Sequence, residues 1–472
     1  MSTSPSPNKA FWRALGLVIG GLTVGILALA LLVTASGPRV RNVAVQNQTG
    51  EQISSVSQGL TVVFDRPIVG SDFKSAIEFD PEVDYTVSHR QGQLSITFDQ
   101  NLLSNTAYAL TIKPEIEDEA GRLMEGEYRY EFTTAEPSFT YLERNYDRGA
   151  ADRIVQRAPL SGESHPLYGE DRIKSFARNG RYLAVVVLRP DNTDELRVFD
   201  LGTLEERSVN IPSDMRVDNL MFSPTDNQFV FIPRAFGVDA DDPDSETYAY
   251  NNKLYRYDID GDQLQPVDAS SDKGNVERAL YSRDGQALLY KTISGSYYLT
   301  GATQTTETTP LGIYNDSGGF DRTNSKIAFQ FASGATIYDA QAKATQELSQ
   351  IGSGGSISAP TFLHNSEELM YLWDPLNEKE GTKTKVYVAS ADGEVEEQVV
   401  ESQPEERFLD YPVISYDDRY VLVETTSEAS NSRFDDYNGN RKPKDARLVL
   451  YDRFDHKEVE SDTHGMDPVW NQ

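Results

Sequence analysis

The hydrophobic and polar positions divide the chain into three regions with different periods. Residues 14–35 form one run without a charged side chain. From residue 37 to about 135, apolar and polar residues alternate over short stretches, which is typical of β-strands with one buried face. From residue 138 to the end, similar short strands recur with tight turns between them. The pattern predicts one helix followed by an all-β protein.

The uncharged run is long enough for a membrane span. A helix over 14–35 would be about 33 Å long, and a bilayer core is about 30 Å thick. We therefore predict a single-pass protein of the cell membrane, with a cytoplasmic tail at 1–13, a transmembrane helix at 14–35 and a large extracytoplasmic C-terminal part. The alternative is a signal peptide that is cleaved after Ala35, where the small-residue rule is met.

The same run contains two G-x-x-x-G pairs. Glycine lets two membrane helices approach closely, so the pairs are candidates for helix packing in a homodimer. Glycine is also common in such helices without a packing role. The four residues are Gly16, Gly20, Gly21 and Gly25.

The region 37–135 has the length of an immunoglobulin-like sandwich. Alternating runs at 60–64, 93–98, 107–112 and 128–132 are bounded by Gly, Asn, Asp or Pro. Roughly 95 residues with about seven strands is the size of that fold. Its acidic residues are expected on solvated strand faces and in turns, so this region is not predicted to be catalytic.

Motifs in this region resemble the bacterial Ig-like domain of the S-layer-associated type. One strand ends in Phe-Asp-x-Pro, a middle motif follows the pattern Leu-x-x-x-Thr-x-Tyr, and an Asp-x-x-Gly turn precedes a final Phe-Thr-Thr. The resemblance implies a spacer on a bacterial surface. The matching residues are Phe64, Asp65, Pro67, Leu102, Thr106, Tyr108, Asp118, Gly121, Phe132, Thr133 and Thr134.

The region 138–472 consists of repeats. Each unit contains a strand, a tight turn that is often Asp-Gly or Asn-Gly, a very apolar strand and then a second hairpin. Four strands per unit predict the blades of a β-propeller. Six units begin with an aromatic or aliphatic residue, at Phe176, Phe222, Tyr281, Phe320, Phe362 and Ile414.

The two ends of this region together form a seventh unit. Residues 465–471 resemble a first strand, and residues 139–143 and 153–157 resemble the second and third strands of the same unit. We therefore predict seven blades closed by the C-terminal strand, with six blades as the alternative. The repeats resemble TolB-type and related WD40-like propellers, although the Trp-Asp dipeptide of WD40 repeats is absent. That resemblance implies a fold far more than a function.

Three long connections between second and third strands, at 234–252, 374–384 and 427–445, are predicted to share one face of the propeller. Long loops that mix aromatic and charged residues can form a binding surface, and they can also be neutral insertions. The candidate binding residues are Phe236, Asp239, Asp241, Asp242, Asp244, Tyr248, Tyr250, Trp373, Arg433, Phe434, Asp435, Asp436, Tyr437 and Arg441.

Two of these loops contain clustered oxygen ligands of the kind that Ca²⁺ takes. Neither loop follows the EF-hand pattern, with Gly at the sixth position and a distal Glu. The sequence therefore predicts no cofactor, with Ca²⁺ as the alternative. The candidate ligands are Asp239, Asp241, Asp435, Asp436 and Asn438.

Composition narrows the classes of partner and chemistry. The net charge of −30 argues against unaided binding to nucleic acid, which needs clustered Lys and Arg. The chain has no cysteine, which excludes disulfides, thiolate metal sites and a Cys nucleophile. No G-x-S-x-G or H-E-x-x-H motif occurs and the five histidines are scattered, so we expect that the protein is not an enzyme.

The leading hypothesis from sequence is a bacterial envelope protein. Its propeller would bind a protein or a glycan through the long-loop face, and the Ig-like domain would serve as the spacer. One alternative is an extracellular carbohydrate-active enzyme with two carboxylates at the central channel. Another is a structural assembly platform built on helix dimerisation.

Overall fold

The computed structural model divides the chain into two compact units, Met1–Ala135 and Glu136–Gln472. The structure describes residues 9–46, 53–56, 59–145, 151–212, 214–235, 250–267, 275–302, 308–348, 351–352, 354–376, 383–393, 396–403, 406–408, 411–427 and 446–471. Apart from one long helix and one short turn of 3₁₀ helix, the regular structure in these residues consists of β-strands.

The helix α1, Lys9–Ala35, contains the predicted span 14–35. Among the described residues, however, no helix combines the length and the apolar character that crossing a membrane requires. The predicted transmembrane helix is therefore not confirmed. A Cβ atom added to any of the four glycines would meet no other described atom within 4 Å, so their role in a dimer stays a prediction. Those glycines are Gly16, Gly20, Gly21 and Gly25.

The rest of the first unit is a β-sandwich. One sheet has the strand order β1-β2-β6-β5, a second has the order β4-β7-β9, and β3 pairs with β8. A single 3₁₀ turn, Lys74–Ala76, precedes β4. The strands are β1 Val40–Val45, β2 Gly59–Phe64, β3 Ile68–Val69, β4 Ile77–Asp80, β5 Tyr85–Arg90, β6 Gln93–Phe98, β7 Ala107–Ile112, β8 Glu117–Asp118 and β9 Tyr128–Thr133.

The sandwich core follows from the period-two pattern of its strands. Leu60, Val62 and Phe64 alternate along β2, and all three are buried in one cluster. Leu94 and Ile96 on β6, the neighbouring strand, are buried in the same cluster. Side chains at every second position point to the same face, so these strands line the interior while the intervening residues face outwards.

The described residues of the second unit form seven antiparallel sheets of successive strands, called sheets 1 to 7 here. Sheet 1 contains β10 Phe139–Glu143, β11 Asp152–Ala158 and β12 Glu163–Glu170; sheet 2 contains β13 Ile173–Asn179, β14 Tyr182–Leu188, β15 Asp194–Asp200 and β16 Glu206–Ser208; sheet 3 contains β17 Met215–Phe222, β18 Gln228–Ala235, β19 Tyr255–Asp258 and β20 Gln263–Pro266; sheet 4 contains β21 Val276–Tyr281, β22 Ala287–Thr292, β23 Ser296–Gly301 and β24 Thr309–Ile313. Sheet 5 contains β25 Asp316–Phe320, β26 Lys326–Phe331, β27 Gly334–Asp339 and β28 Ala344–Leu348; sheet 6 contains β29 Gly355–Phe362, β30 Leu369–Pro375, β31 Lys385–Ala389 and β32 Glu396–Glu401; sheet 7 contains β33 Glu406–Phe408, β34 Val413–Ile414, β35 Tyr420–Ser427, β36 Arg447–Asp452 and β37 Lys457–His464.

The last strand, β38 Met466–Trp470, completes sheet 1. It pairs antiparallel with β10, so that Phe139 lies opposite Trp470 and Leu142 lies opposite Met466. Sheet 1 therefore takes its first strand from the C-terminal end of the chain and its other three from residues 139–170. The predicted closure by residues 465–471 is confirmed.

Each pair of neighbouring sheets shares an apolar core. On β14, Ala184 and Val186 pack in the core between sheets 2 and 3, and Leu183 and Val185 pack in the core between sheets 1 and 2. Such a strand is apolar on both faces because both faces are covered. Seven clusters of this kind lie within the described residues, and one of them joins sheet 7 to sheet 1. The second unit is therefore a β-propeller, with the first strands of most sheets in mutual contact near its axis.

A Ser-x-Asp turn shapes the first hairpin of several sheets. In sheet 4 the Ser282 hydroxyl donates to the Asp284 carboxylate at 2.6 Å and accepts from the backbone N–H of Ala287 at 2.8 Å. Ser415 bonds to Asp417 in the same way in sheet 7. Asp and Ser satisfy backbone groups locally, which is why they occur in these turns.

Sheet 7 differs from the predicted pattern of one continuous first strand. Its first strand is split into β33 and β34, and both pair with β35. Pro412 lies directly before β34 and has no N–H group to donate to the ladder, so the strand is interrupted there. Tyr411 is consequently outside the sheet, and its side chain is directed elsewhere.

Candidate functional site

One end of the propeller gathers two kinds of connection. The strands of each sheet run alternately up and down, so the turns between second and third strands lie at the same end as the connections between sheets. We call this end the loop face. The described ends of the three long connections predicted from sequence lie at this end of the propeller.

The structure describes two of the predicted binding residues. Tyr250 and Trp373 are described; the others, together with all the candidate calcium ligands, lie outside the described residues. Those others are Phe236, Asp239, Asp241, Asp242, Asp244, Tyr248, Arg433, Phe434, Asp435, Asp436, Tyr437, Asn438 and Arg441. Within the part of the chain that the structure describes, no group of three or more His, Asp or Glu side chains is placed to hold a metal ion.

The two predicted residues that are described have packing contacts. Tyr250 stacks on Tyr255 with ring centroids 4.8 Å apart, against the core between sheets 2 and 3. Trp373 packs against the core between sheets 5 and 6, and Lys385 Nζ lies 5.8 Å from its ring centroid. A Cβ at Gly355 would collide with the Trp373 indole, so this indole position requires a glycine at residue 355. No contact joins Tyr250 to Trp373 within the described residues.

Exposed apolar side chains mark a different part of the loop face. Ile293 and Phe331 follow or end second strands, in the short turns of sheets 4 and 5. Ile313 ends the fourth strand of sheet 4, at the same face. These three side chains are 54%, 48% and 68% exposed, in the order Ile293, Phe331, Ile313. The sequence prediction did not include them, because only long loops were expected to form the binding surface. Their signal in the sequence is an apolar residue within or beside a short turn.

We call the three exposed residues, together with Tyr314 next to Ile313 in the chain, the apolar patch: Ile293, Ile313, Tyr314 and Phe331. Ser296 pairs with Ile313, which places the turn after Ile293 beside Ile313. The Tyr314 ring lies 6.1 Å from the Phe331 ring, centroid to centroid. Tyr314 also stacks on buried Phe329 at 4.1 Å, so the patch is fixed to the core beneath it.

A polar cluster at the end of the central channel adjoins the patch. Arg278 Nη1 donates to Asp316 Oδ1 at 2.5 Å, which joins the first strands of sheets 4 and 5. The Tyr411 hydroxyl donates to Asp316 Oδ2, and the Arg278 guanidinium lies 5.5 Å from the Tyr411 ring centroid. Tyr411 lies in the chain between β33 and β34 of sheet 7, so its side chain reaches sheet 5 past sheet 6. The split first strand of sheet 7 permits this contact.

Buried Tyr297 borders the same cluster. Its ring lies 5.0 Å from the ring of Phe329, and its hydroxyl has no hydrogen-bond partner among the described residues. Burial raises the pKa of Tyr297, and Asp316 raises it further while Arg278 lowers it. The hydroxyl therefore stays protonated and is a hydrogen-bond donor.

Elsewhere on the loop face, charged residues pair with one another. Lys174 Nζ lies 2.7 Å from Asp194 and 3.2 Å from Asp218, and both Lys174 and Asp194 are buried. Asp218 also pairs with Arg234 at 2.7 Å. These contacts join sheets 2 and 3. Because a buried charge needs a partner, they have a structural role.

The comparison with known families identifies the sandwich. Residues 34–134 match the model of the bacterial Ig-like domain. The first unit contains a bacterial Ig-like domain. The predicted resemblance is thereby confirmed for this part of the chain. No curated protein matches the chain.

Solved structures similar to the chain include other propellers. The β-propeller domain of the Trilobed protease from Pyrococcus furiosus is 10% identical, with a TM-score of 0.42, over 75% of this chain and 90% of that one. A putative TolB from Agrobacterium tumefaciens is 14% identical, with a TM-score of 0.38, over 62% and 91%. A prolyl endopeptidase is 14% identical, with a TM-score of 0.48, over 69% and 48%, so this chain spans about half of its length.

The expectation that the protein is not an enzyme is wrong as stated. It rested on missing motifs, and enzymes are among the solved structures that resemble the chain, prolyl endopeptidases included. The absence of two short motifs does not exclude catalysis on this fold. The identities are 14% or lower and the TM-scores are below 0.5, so these structures transfer no activity to the chain.

Proposed function

We propose that the protein binds another protein in the bacterial cell envelope through the loop face of a seven-bladed propeller. The Ig-like domain acts as the spacer. Seven described sheets and the seven cores between them support the blade number. The binding function rests on the apolar patch.

The patch has the composition of a binding surface. Exposed apolar side chains that lie next to one another favour an interaction site, whereas single ones need no explanation. Tyr314 follows Ile313 in the chain, and its ring lies 6.1 Å from the Phe331 ring. Tyr411 bonds to Asp316, two residues after Tyr314, and the Arg278 guanidinium lies 5.5 Å from its ring. Tyr and Arg are the residue types that dominate the energetics of protein interfaces. The rigid strands beneath the patch limit the entropy lost on binding.

Site-specific crosslinking tests the surface. A photoreactive benzoylphenylalanine would replace Phe331 in the full chain, produced in its native host, and Ile313 in a second variant. We expect the same crosslinked protein from both positions. Leu204, which is 71% exposed in the turn between the third and fourth strands of sheet 2, lies at the opposite end of the propeller and is the matched control. Equal crosslinking from Leu204, or none from Phe331 and Ile313, would refute the proposal.

The location has a separate test. The chain has no native cysteine, so a Leu204→Cys variant contains a single thiol. We expect a maleimide that cannot cross the cytoplasmic membrane to label intact cells as fully as lysed cells. Labelling that requires lysis would place the propeller inside the cell and overturn the envelope location.

A further inference from the structure

Exposed apolar side chains recur on three consecutive sheets of the loop face. Ile293 follows β22 of sheet 4, Phe331 ends β26 of sheet 5, and Leu376 follows β30 of sheet 6. Leu376 is 65% exposed, more than either of the other two. Each of the three lies in or beside the connection between the second and third strands of its sheet. We call Ile293, Phe331 and Leu376 the apolar row.

The packing of the sheets sets the length of the apolar row. A buried cluster that contains Phe329 joins sheets 4 and 5, and another that contains Tyr371 joins sheets 5 and 6. Sheets that pack face to face are about 10 Å apart. The apolar row crosses two such spacings, so it extends over about 20 Å.

Backbone groups beside the row already have partners. The N–H of Ile293 donates to the carbonyl of Asn275 at 2.9 Å, and the N–H of Ala332 donates to Asn315 Oδ1 at 3.0 Å. The row lies where second strands end, and the unpaired groups to which another strand could bond run along the side of a sheet. The surface therefore offers apolar side chains to a partner, without a ladder of backbone hydrogen bonds.

Such a surface favours a partner segment that pairs its own backbone. An extended segment buried here would lose hydrogen bonds to water and gain none in return, which is costly. An α-helix bonds its N–H and C=O groups internally. Residues seven positions apart lie on one face of a helix and are about 10.5 Å apart along its axis, close to the spacing of the sheets.

We propose that the apolar row binds one amphipathic α-helix of the partner protein, and that the polar face of this helix is basic. This inference rests on the proposed function and specifies the bound element. The net charge of the chain is −30. Beside the row, Glu277 is 45% exposed, whereas its partner Lys291 is 16% exposed. A basic helix complements this charge, and a second copy of the chain would be repelled by it.

Mapping of crosslinks measures the conformation of the bound segment. Benzoylphenylalanine would replace Ile293, Phe331 or Leu376 singly in the full chain in its native host, and mass spectrometry would locate the attachment sites in the partner. A helix rises 1.5 Å per residue, so we expect the sites reached from Ile293 and Leu376 to be about 14 residues apart, with the site from Phe331 between them. An extended or polyproline segment would cover the same 20 Å in about six residues.

A synthetic peptide of the crosslinked segment provides the second measurement, by fluorescence anisotropy with the full chain. Proline at a central position of its polar face should weaken binding tenfold or more, because proline breaks a helix, whereas alanine at the same position should change binding less than twofold. Phe331→Asp should also weaken binding tenfold or more. Phe454→Asp is the matched control, because Phe454 is equally exposed but lies between β36 and β37, at the opposite end of the propeller.

Four results would overturn the inference: attachment sites about six residues apart, sites in separate segments or in a second copy of this chain, no crosslink from Leu376, or equal effects of proline and alanine in the peptide. If Phe331 and Ile313 still crosslinked to one other protein, the proposed binding function would stand without the helix. If neither position crosslinked, the proposed function itself would fail.

Discussion

A hydrogen bond between Arg178 and Asn471 joins sheet 2 to the C-terminal end of the chain. Arg178 Nη1 donates to Asn471 Oδ1 at 2.7 Å, although 293 positions separate the two residues. The same nitrogen lies 2.5 Å from Thr140 Oγ1 and 3.0 Å from Gln156 Oε1. Burial lowers the pKa of Arg178 to about 10, so the guanidinium stays charged at neutral pH. A charged group in this position stabilises the closure only while its acceptors are present.

We expect Asn471→Leu to destabilise the propeller by about 1–3 kcal/mol, because it removes an acceptor from a partly buried cation. The measurement is the free energy of unfolding from urea titration, followed by circular dichroism. Gln346→Leu, on the exposed outer strand β28, is the control and should change stability by about 0.5 kcal/mol or less. Equal effects of the two variants would show that Arg178 does not depend on Asn471.

The indole of Trp470 supplies the apolar part of the closure. It lies edge-on to Phe139 with centroids 5.7 Å apart, and its Nε1 donates to the Val413 carbonyl at 3.1 Å. We expect Trp470→Ala to cost about 3–5 kcal/mol, the usual range for a buried aromatic side chain. The same urea titration applies. Phe454→Ala is the control, because Phe454 is about half exposed, and a similar loss there would contradict the closing role of Trp470.

Asp118 organises a turn of the Ig-like domain. Its Oδ1 accepts from the backbone N–H groups of Ala120 and Arg122, and its Oδ2 accepts from Arg122 Nε at 2.9 Å. Arg66 Nη1 is 3.5 Å away. Burial opposes these contacts, but the hydrogen bonds and charges of Arg122 prevail and lower the pKa of Asp118 to about 2.

We expect Asp118→Ala to lower the melting temperature of the Ig-like domain, and the exposed neighbour Glu119→Ala to leave it unchanged. A carboxylate with a lowered pKa stabilises the fold above its unfolded pKa, and this contribution is lost as the pH falls. The difference between wild type and Asp118→Ala should therefore shrink between about pH 4 and pH 2. Differential scanning calorimetry over that range measures it, and a constant difference would contradict the ionic role.

The fold was predictable because the repeats are local and periodic. Second strands such as β14 are apolar at every position, and Ser-x-Asp turns mark the first hairpins, so the sheets could be predicted unit by unit. The closing strand was predictable as well, since residues 466–470 have the pattern of a first strand without a partner nearby in sequence. The split first strand of sheet 7 was not predicted. Pro412 interrupts the hydrogen bonds between this strand and β35, and the sequence alone does not show that the two strands pair there.

The site was far less predictable. Arg278, Asp316 and Tyr411 come from three different sheets, and no spacing along the chain brings them together. Tyr250 and Trp373 were selected because aromatic residues in loops favour binding, but each packs against a core. Whether a side chain is buried beside a turn or exposed on it depends on the neighbouring sheet, and one strand's sequence does not contain that information.

At the opposite end of the channel, His364 and Asp418 are coupled through the backbone. Asp418 accepts from the N–H groups of His364 and Asn365, at 2.6 and 2.7 Å. Arg283 Nη1 lies 2.9 Å from His364 Nδ1, so that nitrogen must accept rather than carry a proton. Burial, and next the charge of Arg283, lowers the pKa of His364 to about 3, whereas burial raises the pKa of Asp418 to about 6.

These two shifts predict opposite dependences of stability on pH. The pKa of His364 is lowered by folding, so between about pH 4 and pH 6 His364 is protonated in the unfolded chain and neutral in the folded one, and stability rises with pH. The pKa of Asp418 is raised by folding, so over the same range Asp418 is protonated in the folded chain and ionised in the unfolded one, and stability falls as the pH rises. Each residue changes the free energy of unfolding by up to about 1.4 kcal/mol per pH unit, and in the wild type the two changes largely cancel. Relative to wild type, His364→Gln should therefore lose stability as the pH increases from 4 to 6, and Asp418→Asn should gain it. Urea titrations of the three proteins at pH 4, 5, 6 and 7.5 measure these slopes. Slopes of the same sign in the two variants would be incompatible with a neutral His364 beside a protonated Asp418.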